Sequence, residues 1–361
     1  MSAAQETAQE SKAVQRAFGS ENRNRLIDQY FAGRPDGVDP ENAWQHVYRL
    51  LMWSDPTTGL AHCYESDKCQ PGKTWYGRSL AFHDWVCKAL QVEPVALAHD
   101  IDWLFIQACE DLAGALLEKQ AKQRAKAAEQ RLGYEGRGFP SPGEDPELIA
   151  IVQGELGSYF SHEPPEAVWQ NVSQKARQYL AVQNKRKNLV GEGFEDVLTQ
   201  VVQRACGLAS DEVVTRTLLS DIRGFSLQGS KPNRVDVAIV RPKARTIVTA
   251  KWSVRADREK QFAAEYTDYA RANSIDEQFQ YVFVTNEFDP ARLMRACEIV
   301  AGKSYMFDRV VHINTDGLRA AYGFGQDENS AAAHSRRRVI ELINEGRLVS
   351  LSQWLNSLAA P

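Results

Sequence analysis

The spacing of apolar residues divides the chain into two regimes. Up to about residue 131 they recur every three or four positions, which predicts helices over 43–53, 79–90 and 100–131. No alternating segment interrupts this part. Helical spacing resumes over 146–160, 165–183 and 191–206, and then the period changes. Val235-Asp236-Val237-Ala238-Ile239 alternates as a half-buried strand does, while 246–250 and 280–285 are β-branched or aromatic runs. A helix over 257–272 is expected between the last two, a further strand at 309–314, and helices near 335–345 and 352–358.

Helix, hairpin, helix and strand in this order predict an α/β (α+β) fold with a mixed central β-sheet flanked by helices. The stretch 133–143, rich in glycine and proline, breaks periodic structure and makes the expected linker. With 361 residues, two domains are expected. One is an all-α N-terminal domain at 1–140, suited to DNA binding or oligomerisation, and the other a catalytic domain at 141–361.

Composition narrows the class. Hydrophobic residues at 43% and charged residues at 25% are ordinary for a globular chain and exclude collagen-like and disordered classes. No apolar run reaches the ~18 residues of a membrane span, and the start of the chain lacks the basic and apolar regions of a signal peptide. A cytoplasmic protein without a membrane partner is expected. Cysteines 63, 69, 87, 109, 206 and 297 are too dispersed for a secreted disulfide framework and fit a reducing compartment.

The net charge of −4 argues mildly against a polyanionic partner, but its distribution matters more than its sum. Between Arg223 and Arg258 nine basic residues face two acidic ones, so that segment suits a nucleic acid.

The same region holds the candidate chemistry. Asp236 lies on the first strand of the expected hairpin, and Lys251 follows at the end of the second, with fourteen residues between them. A carboxylate for a hard cation and a lysine to orient water are what metal-assisted phosphodiester hydrolysis requires. Glu195 sits in Gly191-Glu192-Gly193-Phe194-Glu195 on an expected helix. Glu265 stands on the helix after Lys251, with thirteen residues between them.

Gly-x-x-Phe-Glu, then Val-Asp, then a short residue two before a lysine resembles the PD-(D/E)xK nuclease superfamily, the fold of most type II restriction endonucleases. Thr249-Ala250-Lys251 replaces the usual (D/E)xK, and Glu265 is displaced downstream. This is similar to the branch that cuts CCGG-containing sites, with its (S/T)xK motif followed by a glutamate at the same interval. The run Lys251-Trp252-Ser253-Val254-Arg255-Ala256-Asp257-Arg258 resembles that branch's K-x3-R-x-D-R signature.

The resemblance, which covers about 191–266, implies a restriction-endonuclease-like core with Glu195, Asp236, Thr249, Lys251 and Glu265 at the catalytic centre. Asp236 and Glu265 would hold Mg²⁺. Arg255, Asp257 and Arg258 would read C·G pairs, since arginine donates to guanine O6 and N7 and aspartate accepts from cytosine N4. It further implies double-stranded DNA as substrate, 5′ overhangs, a homodimer or higher even-numbered oligomer, and a cognate DNA methyltransferase in the same host. Two rival readings stay open: a non-catalytic DNA-binding protein on the same fold, and a repair or transposon nuclease.

Other features carry weaker signals. His62, Cys63, Cys69, His83 and Cys87 suggest a zinc site, but the cysteine spacing is wider than structural zinc prefers, and core thiols are the favoured reading. Lys119, Lys122, Arg124, Lys126 and Arg131 form a basic helix tail that suits phosphates or solvent. Trp53, Trp75, Trp85 and Trp103 read as core, and Arg336-Arg337-Arg338 is left unassigned.

Overall fold

The computed structural model of the chain describes residues 12–65, 68–131, 146–226, 233–242, 244–254, 258–275, 278–323 and 331–359. The helices are α1 (Ser20–Ala32), α2 (Ala43–Leu51), α3 (Tyr76–Leu90), α4 (Leu97–Asp100), α5 (Trp103–Arg131), α6 (Pro146–Leu156), α7 (Glu166–Cys206), α8 (Arg258–Ala272), α9 (Pro290–Glu298), α10 (Thr315–Tyr322), α11 (Ala331–Asn344) and α12 (Leu351–Ala359). The strands are β1 (Val213–Thr215), β2 (Val237–Arg241), β3 (Ala244–Lys251), β4 (Gln280–Thr285), the pair β5 (Val300–Ala301) and β6 (Ser304–Tyr305), β7 (Arg309–His312) and β8 (Leu348–Ser350).

Six strands form one mixed sheet in the order β1-β2-β3-β4-β7-β8. β1, β2 and β3 run antiparallel, while β4, β7 and β8 continue from β3 in parallel. The central strands are buried on both faces. Ile247, Val248, Ala250, Tyr281, Val282, Phe283 and Val284 are at most 1% exposed, the run expected of a sheet covered by helices. The mixed α/β architecture with helices flanking the sheet is therefore observed. Among the described residues no helix is long and apolar enough to cross a membrane.

The chain clusters into two compact units, residues 1–23 with 106–189 and residues 24–105 with 190–361. In the first, Trp169 is 2% exposed and meets Phe160 edge-on at 5.6 Å, and Asn22 donates to Asp111 at 2.9 Å. The second holds the sheet, and it takes up residues 24–105, which the linker signal assigns to a separate N-terminal domain.

Packing explains this assignment. Tyr48 on α2, fully buried, donates its hydroxyl to Asn286 at 2.9 Å. Phe82 on α3 meets Phe288 at 4.6 Å. A Cβ placed on Gly317 of α10 would lie 2.9 Å from the Trp85 ring and 3.2 Å from that of Phe82, so glycine permits the close approach of α3 and α10. An amphipathic helix announces that it has an apolar face, not which surface will cover it.

Two further differences concern helix continuity. The segments expected at 165–183 and 191–206 form one helix that runs through Gly191 and Gly193. The glycines cost about 1 kcal/mol each in propensity, which burial of Phe194, Val197, Leu198, Val201 and Val202 readily offsets. Conversely, the helix expected at 100–131 is interrupted between α4 and α5, where Asp102 takes a left-handed φ of 63°.

Candidate active site

The β2–β3 hairpin brings Asp236 and Lys251 together. Asp236 stands one residue before β2 rather than within it, where its carbonyl accepts from the Arg216 amide at 3.0 Å. The alternation that marks the segment persists, with Val235 and Val237 buried on either side of the half-buried aspartate. Its Oδ2 accepts three hydrogen bonds: from Lys251 Nζ at 2.6 Å, from the Ala250 amide at 2.9 Å and from Thr249 Oγ1 at 3.1 Å. All three donors of the Thr-x-Lys motif thus converge on one carboxylate oxygen. The other oxygen of Asp236 takes no part in these bonds.

Glu195 and Glu265 flank this pair from two helices. Glu195 on α7 is only 8% exposed, between the buried Phe194 and Asp196. Burial, reinforced by the Asp236 carboxylate, pushes its pKa up to about 7 against the opposing pull of Lys251 and Arg216. Glu265 on α8 accepts from Gln261 Nε2 at 2.7 Å and from the Tyr281 hydroxyl at 3.4 Å. Burial raises it too; Asp236 adds to the rise, while the Gln261 hydrogen bond and Lys251 oppose it. Both glutamates therefore respond to the same aspartate and the same lysine, which is the electrostatic sense in which the four residues form one site.

Arg216 is the site residue that the sequence does not announce. It follows β1 in the left-handed region, with φ 47°, a conformation that costs a residue with a side chain roughly 1–3 kcal/mol. Its Nη1 donates to Glu195 Oε2 at 3.1 Å and to the Glu192 carbonyl at 3.2 Å, and its Nη2 donates to Asp196. One residue thereby ties α7 to the strand edge that carries Asp236. The β-branched run Val213-Val214-Thr215 was the available signal, too short to mark a strand without its partner β2.

The donors of this carboxylate set are all oxygens, the kind that suit a hard divalent cation. Among the described residues no group of three or more His, Cys, Asp or Glu side chains is arranged to hold a metal ion. Mg²⁺, however, keeps several waters and is held through one or two carboxylates. Buried Glu195 and half-buried Glu265, both with raised pKa values, beside an aspartate constitute an excess of negative charge that such a cation would relieve. The oxygen-only donors fit.

Of the residues expected to read bases, Arg255 and Asp257 lie outside the described residues. Arg258 is the first residue of α8, two helical turns before Glu265. The loop leading towards them is anchored: the Val254 amide donates to buried Glu287 at 2.7 Å, and the Asn286 amide donates to the Trp252 carbonyl at 3.0 Å.

The weaker signals resolve as packing where they are described. Cys63 and Cys69 are buried, and both sulfurs lie against the Ser79 hydroxyl at 3.3 and 3.0 Å, with no zinc set around them among the described residues. His83 Nδ1 accepts from the Ala61 amide at 2.9 Å. Trp53 stacks on His62, Trp75 packs at a tilt against Tyr64, and Trp103 meets Tyr30 edge-on, as core or loop aromatics do. Arg338 pairs with Glu298, Glu341 and Glu345, and Arg336 is buried. In the basic helix tail Lys122 is exposed, while the side chains of Lys119, Arg124, Lys126 and Arg131 lie outside the described ones.

No protein-family model, curated protein or solved structure compared with the chain matches it.

Proposed function

We propose that the chain is a Mg²⁺-dependent type II restriction endonuclease that hydrolyses double-stranded DNA at a palindrome containing CCGG, on a restriction-endonuclease-like core. The observation that carries this reading is the convergence of Lys251, Thr249 and the Ala250 amide on Oδ2 of Asp236, with Glu195 and Glu265 both within the electrostatic reach of that pair.

Asp236 and Glu265 would hold the cation, with Glu195 beside them. When bound, it supplies positive charge to the phosphate and to the departing oxygen. The protein's own groups do the rest. Lys251, anchored by Asp236, orients a water towards phosphorus and adds a second positive charge to the pentavalent transition state. Thr249 and the Ala250 amide hold Asp236 in a fixed rotamer, which preorganises the site. Tyr281 and Gln261 do the same for Glu265. Arg255, Asp257 and Arg258 are the proposed base readers, and palindromic cutting of both strands calls for a two-fold symmetric dimer. A methyltransferase of the same specificity would protect the host.

The test is digestion of plasmid DNA by the purified full chain with Mg²⁺, with EDTA as control, followed by sequencing of the fragment ends. Discrete fragments that require Mg²⁺ support the reading. Undiminished cleavage in EDTA removes the metal. Tight, specific binding with no cleavage by any divalent cation makes the chain a binding protein on this fold, and a structure-dependent pattern makes it a repair-type nuclease.

A further inference from the structure

A cavity of about 590 Å³ opens beside Glu195, bounded by the C-terminal half of α7 on one side and by β1 and the segment after it on the other. This is within the ~300–1,000 Å³ range of built ligand sites. It joins the proposed active site through two residues. Asp196 follows Glu195 in the chain, and Arg216 forms part of the wall while its amide bonds to the Asp236 carbonyl at 3.0 Å.

Four observations define what the cavity would accept. Its lining is mostly polar, with hydroxyls, amides, two carboxylates and two guanidinium groups beside Val213, Val214 and Leu218, and no aromatic ring is among the described residues that form it. Such side chains supply most contacts to the sugar and phosphate of DNA, whereas an extruded base needs a stacking surface. Thr199 contributes a hydroxyl that is unpaired among the described residues although the side chain is buried, with 6% of the residue exposed. A helical threonine commonly returns its hydroxyl to the carbonyl one turn back; this one borders the cavity without such a bond among the described residues. Arg234, exposed, spends Nη1 on the Arg216 carbonyl at 2.8 Å and has further N–H groups to offer. Finally, the carboxylates of Asp196 and Asp221 balance Arg216 and Arg234, so selection there rests on directed hydrogen bonds more than on bulk attraction.

We propose that this cavity is a subsite for the sugar–phosphate backbone adjoining the scissile bond, with Arg234 and Thr199 contacting one phosphate and Arg216 forming the wall shared with the active site. The assignment rests on the nuclease reading above. It adds the path by which one strand would leave the catalytic centre, along α7.

The test is a set of duplexes carrying the cleavage site, each with a single methylphosphonate in place of one phosphate near the cut. Binding is measured in Ca²⁺ with the full chain and with the variants Arg234→Ala and Thr199→Val. One uncharged position should weaken binding by the parent about tenfold, the worth of one charge-assisted hydrogen bond. In Arg234→Ala that penalty should fall to about twofold or less, because contact partners are non-additive. Thr199→Val, which preserves volume, should lower affinity about fivefold.

A penalty that stays the same size in Arg234→Ala overturns the subsite. So does sensitivity to an abasic nucleotide in place of the methylphosphonate, which assigns a base pocket. If Thr199→Val does not fold, exposed Arg234 carries the test alone. A parent that binds no duplex ends the nuclease reading and the subsite together, whereas a parent that binds and cuts, with both variants unchanged, ends the subsite only.

Discussion

Lys251 Nζ lies 2.6 Å from Oδ2 of Asp236, and neither group is fully shielded, with side-chain exposures of 24% and 21%. An ion pair this exposed contributes at most about 1 kcal/mol to stability. Its cost to the fold when broken is therefore small, and its value lies in the chemistry. Asp236→Ala and Lys251→Ala should each lower the cleavage rate by about 10³-fold or more; Lys251→Ala should shift stability by about 1 kcal/mol or less, whereas Asp236→Ala, which also strands the Ala250 amide and the Thr249 hydroxyl, should cost about 1–3 kcal/mol. Rates from single turnover and melting midpoints for the same proteins check both halves. Near-normal cleavage by either variant would show that the chemistry lies elsewhere.

The raised glutamates make a prediction about metal and pH together. A carboxyl whose folded pKa exceeds its unfolded value holds its proton more tightly when folded. It therefore favours folding less and less as pH rises from about 4.5 to about 7, the window set by Glu195. Glu265 acts with the same sign. Mg²⁺ should accordingly raise the melting temperature more at pH 8, above the raised value of Glu195, than at pH 5. Glu265→Gln, isosteric and uncharged, should stabilise the metal-free chain by about 1 kcal/mol at pH 8 and by less at pH 5, while abolishing cleavage. Calorimetry at the two pH values measures it. Equal metal increments at both would mean that these carboxylates do not hold the ion.

How much of this was legible in the sequence differs from residue to residue. β4 was expected at 280–285 and is found at Gln280–Thr285, because a β-branched and aromatic run in the centre of a sheet has no other stable home. Lys251, Thr249, Asp236 and the two glutamates were legible by type and interval. Arg216 was not: a single arginine after a three-residue strand matches no periodic pattern, and only the fold reveals its left-handed backbone. The edge strand β8 was too short to be seen for the same reason. The packing of α2 and α3 into the unit that holds the sheet was invisible because it depends on which surface each apolar face meets, as at Gly317.

Buried His312 should give the fold an acid sensitivity of opposite sign to that of the glutamates. It is fully buried; its Nδ1 lies 2.9 Å from the Asn314 carbonyl and 3.1 Å from the Asn314 amide, and its Nε2 lies 3.1 Å from the Glu287 carbonyl. In the neutral tautomer with Nε2 as the donor, Nδ1 accepts from the Asn314 amide and Nε2 donates to the Glu287 carbonyl. Burial lowers its pKa to about 3, so between roughly pH 6.5 and 3 the unfolded chain takes up a proton that the folded chain refuses. Stability from this residue is complete above pH 6.5 and is lost as pH falls. His312→Leu should destabilise by about 2–4 kcal/mol at pH 7, since it strands a carbonyl and an amide. The gap to the parent should narrow at pH 5. A gap constant across that range would mean that His312 is charged in the folded chain.

Specificity gives the sharpest test, because α8 begins at Arg258 and carries Glu265 seven residues later. At 3.6 residues per turn these two positions share a face about 10 Å apart, so under the proposed function one rigid element reads the site at its start and serves the chemistry two turns on. The two roles should separate by mutation. Arg258→Ala removes a bidentate contact worth ~1–3 kcal/mol to guanine, twice over in a symmetric dimer, and should reduce specific binding in Ca²⁺ to the level of random sequence. Glu265→Ala should leave that binding within a fewfold of the parent and stop cleavage. Light scattering should give an even number of subunits, and fragment ends should carry four-base 5′ overhangs around CCGG. If the ends instead show a core such as CCNGG, the assignment of Arg255, Asp257 and Arg258 as readers fails while Asp236, Lys251 and Glu265 keep their roles. If Arg258→Ala cuts the same sites at the same rate, recognition must lie on another element, and α8 serves the chemistry alone.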